Sequence, residues 1–232
     1  MGTRVQSEMS AETDAIATSL VLLSLLLAVL TARGLARYLV SRMWTQLMWA
    51  LGLGLATAAM AVEAVVYLGV VNETLLQAYV FFSAAIVGVL SLGATRVLRR
   101  PRVEWAYSAY TWAATAVVAV ASFVVPVPTA IVSDGIISGN PPFLLLLLST
   151  FVTGPATVVL LASSVVALRR SRKWQTLLMI AGALVLGAGG TLYIASFPVA
   201  LYYAEFVGII VLFLGLISLP QTAPVPTPAP TS

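Results

Sequence analysis

The chain has no cysteine and no histidine, a single lysine, and only two aspartates. Each shortage removes a chemistry. Without thiols or imidazoles there is no disulfide, no thiol nucleophile, and no His- or Cys-ligated metal or haem. Lys173 stands beside Arg172 at a helix end, so no lysine lies mid-membrane to hold a retinal-type Schiff base. Asp14 and Asp134 both fall outside the apolar runs, which argues against an intramembrane aspartyl protease. A lipid-modifying enzyme needs His, paired Asp, or Lys and Arg converging on phosphate; only arginine clusters qualify, and they read more simply as topology signals. The expectation is a protein that is not an enzyme and carries no metal or cofactor.

Charge is equally scarce. Of 232 residues, 9% are charged and 60% hydrophobic, whereas soluble domains run near a quarter charged. Apolar runs of about twenty residues recur along nearly the whole length, the pattern of a polytopic helical membrane protein. The net charge of +4 comes from basic residues in short clusters at helix ends. There they meet anionic lipid headgroups and set orientation, so no nucleic-acid partner is expected.

Seven spans are predicted, at 15–36, 45–70, 75–97, 105–126, 143–168, 174–196 and 200–219, giving an all-α seven-helix bundle over 15–219. Residues 1–14 form a polar N-terminal tail. Three acids (Glu8, Glu12, Asp14) precede the first apolar run and arginines follow it, the reverse of a cleaved signal peptide. Residues 220–232, "PQTAPVPTPAPTS", form a disordered Pro-rich tail. Arg33, Arg37 and Arg42 follow span one; Arg96, Arg99, Arg100 and Arg102 follow span three; Arg169, Arg170, Arg172 and Lys173 follow span five. The alternate connections carry no basic residue. By the positive-inside rule the N-terminus is outside and the C-terminus cytoplasmic, in a multi-pass protein of the cell membrane. Asn72 then lies outside, in the sequon Asn72-Glu73-Thr74, either a glycosylation acceptor or a chance match in a tight turn.

"SRMW" at 41–44 returns as "SRKW" at 171–174. The same offset pairs Gly52 with Gly182 and Glu63 with Tyr193. Spans one to three would then repeat in parallel as spans five to seven, with 105–126 as a linker helix and 15–97 and 143–219 as the two repeats. That plan is similar to the three-plus-one-plus-three build of SWEET-type sugar transporters, although none of that family's motifs stand in this chain.

The chemically informative residue is Glu63, a carboxylate in the apolar stretch "AMAVEAVVYLG". Trp49, Gly52, Ala56, Met60, Glu63 and Tyr67 recur at spacings of three and four, one helical face. A lipid-facing carboxylate at that depth costs about 2–3 kcal/mol, so the face is expected to point into the bundle. Under the repeat, Tyr193 faces Glu63 across a pseudo-axis and the two line a central cavity; otherwise Glu63 bridges two helices by a hydrogen bond. Tyr202 and Glu205 are further candidates on span seven, read alternatively as interfacial anchoring and a carboxylate reaching water. Gly154-Pro155, in "TGPAT", marks a hinge or a routine kink, because proline frees the carbonyl one turn back. The polar and aromatic half-helix holding Tyr107, Ser108, Tyr110, Thr111, Trp112 and Thr115 reads mainly as an interfacial anchor, and Glu104 as a surface charge.

Two functions fit these residues. One is a small-solute or ion transporter or channel with its site near Glu63 and Tyr193. The other is a non-catalytic receptor-like or accessory subunit that binds a lipid, a small ligand, a partner membrane protein or a second copy of itself.

Overall fold

A computed structural model describes residues 2–98, 100–133, 136–137 and 141–171, side chains being placed from Thr18 onward, and short helical pieces at 177–178, 181–182, 185, 207–211 and 214. It is built from helices. Five are long and apolar enough to cross a membrane: α1 (Gly2–Ser41, its apolar part Thr18–Ser41), α2 (Trp44–Tyr67), α3 (Glu73–Thr95), α4 (Pro101–Val124) and α5 (Phe143–Ser171). The sequence boundaries for these five agree to within about five residues. Spans six and seven lie mostly outside the described residues.

Residues that cannot continue a helix set the turns. Arg33 and Arg37 do not end α1, since arginine is a good helix former. The helix stops only where Arg42 turns left-handed (φ 54°), its N–H donating to the Tyr38 carbonyl. Ser41 bridges into the next helix: its Oγ accepts from the Met43 N–H and donates to Gln46 Oε1. Between α2 and α3 the chain reverses at Gly69 (φ 92°), a conformation that a Cβ would strain. Asn72 then caps α3, its Oδ1 accepting from the Leu75 N–H at 2.8 Å. A 3-10 turn, Arg96–Leu98, and Pro101 in the first turn of α4 make the third reversal.

The connection from α4 to α5 is not a simple exposed loop. It contains a 3-10 turn (Thr129–Ile131) and a two-residue antiparallel pairing of β1 (Val132–Ser133) with β2 (Ile136–Ile137). Val127, Ile131 and Ile137 are buried with Val66, Leu76, Val80 and Leu145, so this segment covers the α2–α3 end of the bundle.

Lipid is as apolar as leucine, so helices in a membrane associate through close packing and hydrogen bonds rather than by escaping solvent. α3 is central and packs against α2, α4 and α5, while α1 packs on α2. A Cβ on Gly52 would lie 2.5 Å from Leu90 Cδ2, and one on Gly93 would lie 2.6 Å from Trp49 Cδ1. These contacts follow one rule. Gly52 and Leu90, Trp49 and Gly93, and Glu63 and Tyr79 are each equally distant in sequence from Val71, the centre of the α2–α3 turn. On α1, Leu20, Leu23, Leu27 and Leu30 form the buried stripe that meets Leu53, Ala56, Met60 and Ala64 of α2, joined by Ile209 from the middle of span seven.

Candidate functional site

The α2 face read from the sequence is interior. Gly52, Ala56 and Met60 are buried, Tyr67 is half-buried against the α1–α2 cluster, and Glu63 retains 2% of its accessible surface. Glu63 sits one turn from the end of α2, about 6 Å along the axis at 1.5 Å per residue. Tyr79 Oη of α3 donates to Glu63 Oε1 at 2.7 Å, and Tyr79 is itself buried. Among the described residues, Oε2 of Glu63 has no hydrogen-bond partner. A polar atom in that condition is expensive, by about 1–3 kcal/mol. Among the described residues the pair therefore has one oxygen bonded and one without a partner, the arrangement in which a carboxyl group can take up a proton or a small cation.

The partner found here, Tyr79, was not singled out in the sequence. Its signal was available: a short turn centred on residue 71 forces residues equally far on either side to meet, which pairs 63 with 79. Tyr193, the partner expected from the repeat, lies outside the described residues, as do Tyr202 and Glu205.

On the other flank of α3, buried Gln77 donates through Nε2 to the Val125 carbonyl at 3.3 Å and reaches Glu73 Oε1 at 3.4 Å. Glu73 lies in the first turn of α3, where a negative charge suits the helix dipole. Asn72, the sequon residue, has its carbonyl oxygen engaged as the helix cap, which gives the side chain a structural task.

The polar half of α4 divides: Trp105, Tyr110 and Trp112 are exposed, as interfacial anchors are, and the other side turns inward. Tyr107 Oη is 2.7 Å from Ser91 Oγ of α3, and Thr111, Thr115 and Ser122 are buried inside the bundle. Their positions, with Tyr107, fall on one side of the helix. Elsewhere, several threonine hydroxyls bond back to their own helix, Thr31 to Leu27, Thr57 to Leu53, Thr150 to Leu146 and Thr157 to Thr153, whereas buried Ser163 of α5 has no partner among the described residues. Thr115 and Ser122 make no such bond and have no partner among the described residues, while Thr111 lies within reach of the Tyr107 hydroxyl. Gly88 of α3 leaves the room against which this face packs: a Cβ there would lie 3.6 Å from Thr115 Oγ1 and 2.9 Å from Val152 Cγ1 of α5.

Helix α5 runs as one element through Pro155. The carbonyl that this proline deprives of a donor is that of Phe151, and Tyr110 Oη donates to it across the α4–α5 contact. The freed carbonyl is thus occupied by a neighbouring helix. Gly154 is exposed, and among the described residues nothing lies within 4 Å of a Cβ built on it. Glu104, read as a surface charge, pairs with Arg96 across the α3–α4 turn at 3.0 Å.

Compared with the models of protein families, with curated proteins and with solved structures, the chain matches none.

Proposed function

We propose that this chain is a small-solute or ion transporter whose working group is the Glu63 carboxyl, with a proton as the simplest cargo or coupling ion. One observation carries the reading: a carboxyl buried inside apolar helices, held at one oxygen by Tyr79 and unpartnered among the described residues at the other. Buried ionisable groups in membrane helices are costly and typically belong to ion or proton pathways. Thr115 and Ser122 of α4, without partners among the described residues, support the same reading, because they are polar groups kept inside the bundle without being spent on helix structure.

In this proposal the bundle has seven spans in two parallel repeats, the N-terminus outside and the arginine clusters in the cytoplasm. The clustering of Arg33, Arg37, Arg42, Arg96, Arg100, Arg102 and Arg169 at the same alternate helix ends is what supports the orientation. Protease cleavage of residues 220–232 from the exterior of sealed cells would overturn it.

The deciding experiment reconstitutes the full chain in vesicles enclosing a pH-sensitive dye, with a potassium diffusion potential as the driving force. Wild type is expected to acidify or alkalinise the lumen faster than protein-free vesicles, and Glu63→Gln to reduce the rate to background while losing only about 0.5 kcal/mol of stability. Equal rates in wild type and the variant remove Glu63 from any such path. A binding or accessory role is the second reading, favoured by the brace between Tyr110 and the Phe151 carbonyl, which ties down the helix segment that a transport cycle would move.

A further inference from the structure

At the arginine-rich end of the bundle, away from Glu63, a groove of about 400 Å³ opens between Trp44, Arg96, Pro101, Glu104, Trp105 and Ser108. Its floor is one helical face: Pro101, Glu104, Trp105 and Ser108 follow the three-and-four spacing along the first two turns of α4. Trp44, the first residue of α2, and Arg96, just past the end of α3, supply the walls. The groove therefore sits where three membrane-crossing segments end, at the depth of the lipid headgroups. Its size is at the lower end of small-molecule sites, which run roughly 300–1,000 Å³. That is room enough for a lipid headgroup.

The lining has both charges. Arg96 and Glu104 form an ion pair at 3.0 Å with half and about a quarter of their side-chain surface exposed, at 50% and 27%. Trp105 is 76% exposed, an aromatic face at the position where indoles settle among headgroups. A cation alone would favour any phosphate. A cation beside a carboxylate, walled by indoles, favours a group that brings a phosphate and an ammonium together. The phosphate meets the Arg96 guanidinium; the ammonium meets the Glu104 carboxylate and the tryptophan faces, where cations are attracted. A purely anionic headgroup meets Glu104 as a like charge.

We infer that this groove is a binding site for the headgroup of a zwitterionic phospholipid from the membrane leaflet at the arginine-rich end. The site is independent of the Glu63 reading, since its one residue in α2, Trp44, opens that helix and Glu63 lies near the other end. The bound lipid would hold the α3–α4 turn against the start of α2.

The test uses the full-length protein in detergent and native mass spectrometry, with phosphatidylethanolamine, phosphatidylcholine and phosphatidylglycerol of identical acyl chains added one at a time. Wild type is expected to retain one zwitterionic lipid at collision energies that strip phosphatidylglycerol. Glu104→Gln is expected to lower retention of the two zwitterionic lipids by roughly three- to tenfold, the size of one charge-assisted contact, while leaving phosphatidylglycerol unchanged or better held. Arg96→Gln lowers retention of all three. Both variants are expected to melt as wild type does, because an exposed ion pair contributes little to stability. Preferential retention of phosphatidylglycerol, or retention unchanged in both variants, overturns the site.

Discussion

The Glu63–Tyr79 hydrogen bond can be measured by itself. Tyr79→Phe removes one hydroxyl and keeps the ring that packs with Val66, Leu76 and Val80. The loss includes the donor at 2.7 Å from Glu63 Oε1, and the double-mutant cycle below isolates that part. Hydrogen bonds between membrane helices average about 0.6 kcal/mol in double-mutant cycles and reach about 1.7. The present bond belongs at the upper end, because Glu63 Oε2 has no partner among the described residues and Oε1 would then lose its own. Tyr79→Phe is therefore expected to destabilise by about 1–2 kcal/mol. Glu63→Gln retains a carbonyl oxygen that can accept from Tyr79, so its cost should be about 0.5 kcal/mol. For the coupling, Glu63→Leu is the better partner mutation, since it removes the acceptor at similar volume. The double variant Glu63→Leu/Tyr79→Phe should then be less destabilised than the sum of the singles, by about 1 kcal/mol. The assay is reversible unfolding in mixed micelles followed by tryptophan fluorescence, for which half-buried Trp49, packed on Gly93, is a reporter of the same helix pair. Single-variant effects that simply add, to within about 0.3–0.5 kcal/mol, would refute the claim that this bond holds the two helices at the site.

Three other outcomes follow from the packing. Tyr110→Phe strips the donor from the Phe151 carbonyl and should cost about 1 kcal/mol, but much less in a Pro155→Ala background, where the restored N–H takes that carbonyl; unfolding of the four variants gives the coupling directly. Gly93→Ala drives a methyl into the Trp49 ring, with the Thr45 carbonyl 3.3 Å away, and should cost about 1–3 kcal/mol, whereas Gly54→Ala meets only Thr31 Cγ2 at 3.5 Å and should be neutral or gain up to about 1 kcal/mol in helix propensity. Thr115→Val exchanges an unpartnered buried hydroxyl for a methyl of the same shape and should stabilise by about 1 kcal/mol; loss of vesicle flux in that more stable variant would tie the α4 hydroxyls to transport, and a destabilised variant would show that the hydroxyl has a partner after all.

Much of this architecture follows from local chemistry. Apolar runs of membrane-spanning length leave a helix as the one way to satisfy the backbone within a lipid layer, so the first five spans could be read without any knowledge of contacts. The interior direction of the Glu63 face is of the same kind: the penalty on a lipid-facing carboxylate fixes it. Helix ends were less legible, since Arg33 and Arg37 mark the limit of apolar sequence while the hydrogen-bonded helix continues to the left-handed Arg42. What only the tertiary structure decided are the pairings. Tyr79 meets Glu63 because Gly69 and Asn72 make the α2–α3 turn short and centre it on Val71, a centre the structure supplies and from which the register follows. Tyr110 reaches the carbonyl freed by Pro155 because α4 and α5 pack side by side, a fact carried by neither helix alone. Periodicity names the face that is buried; contact across the bundle names what it is buried against.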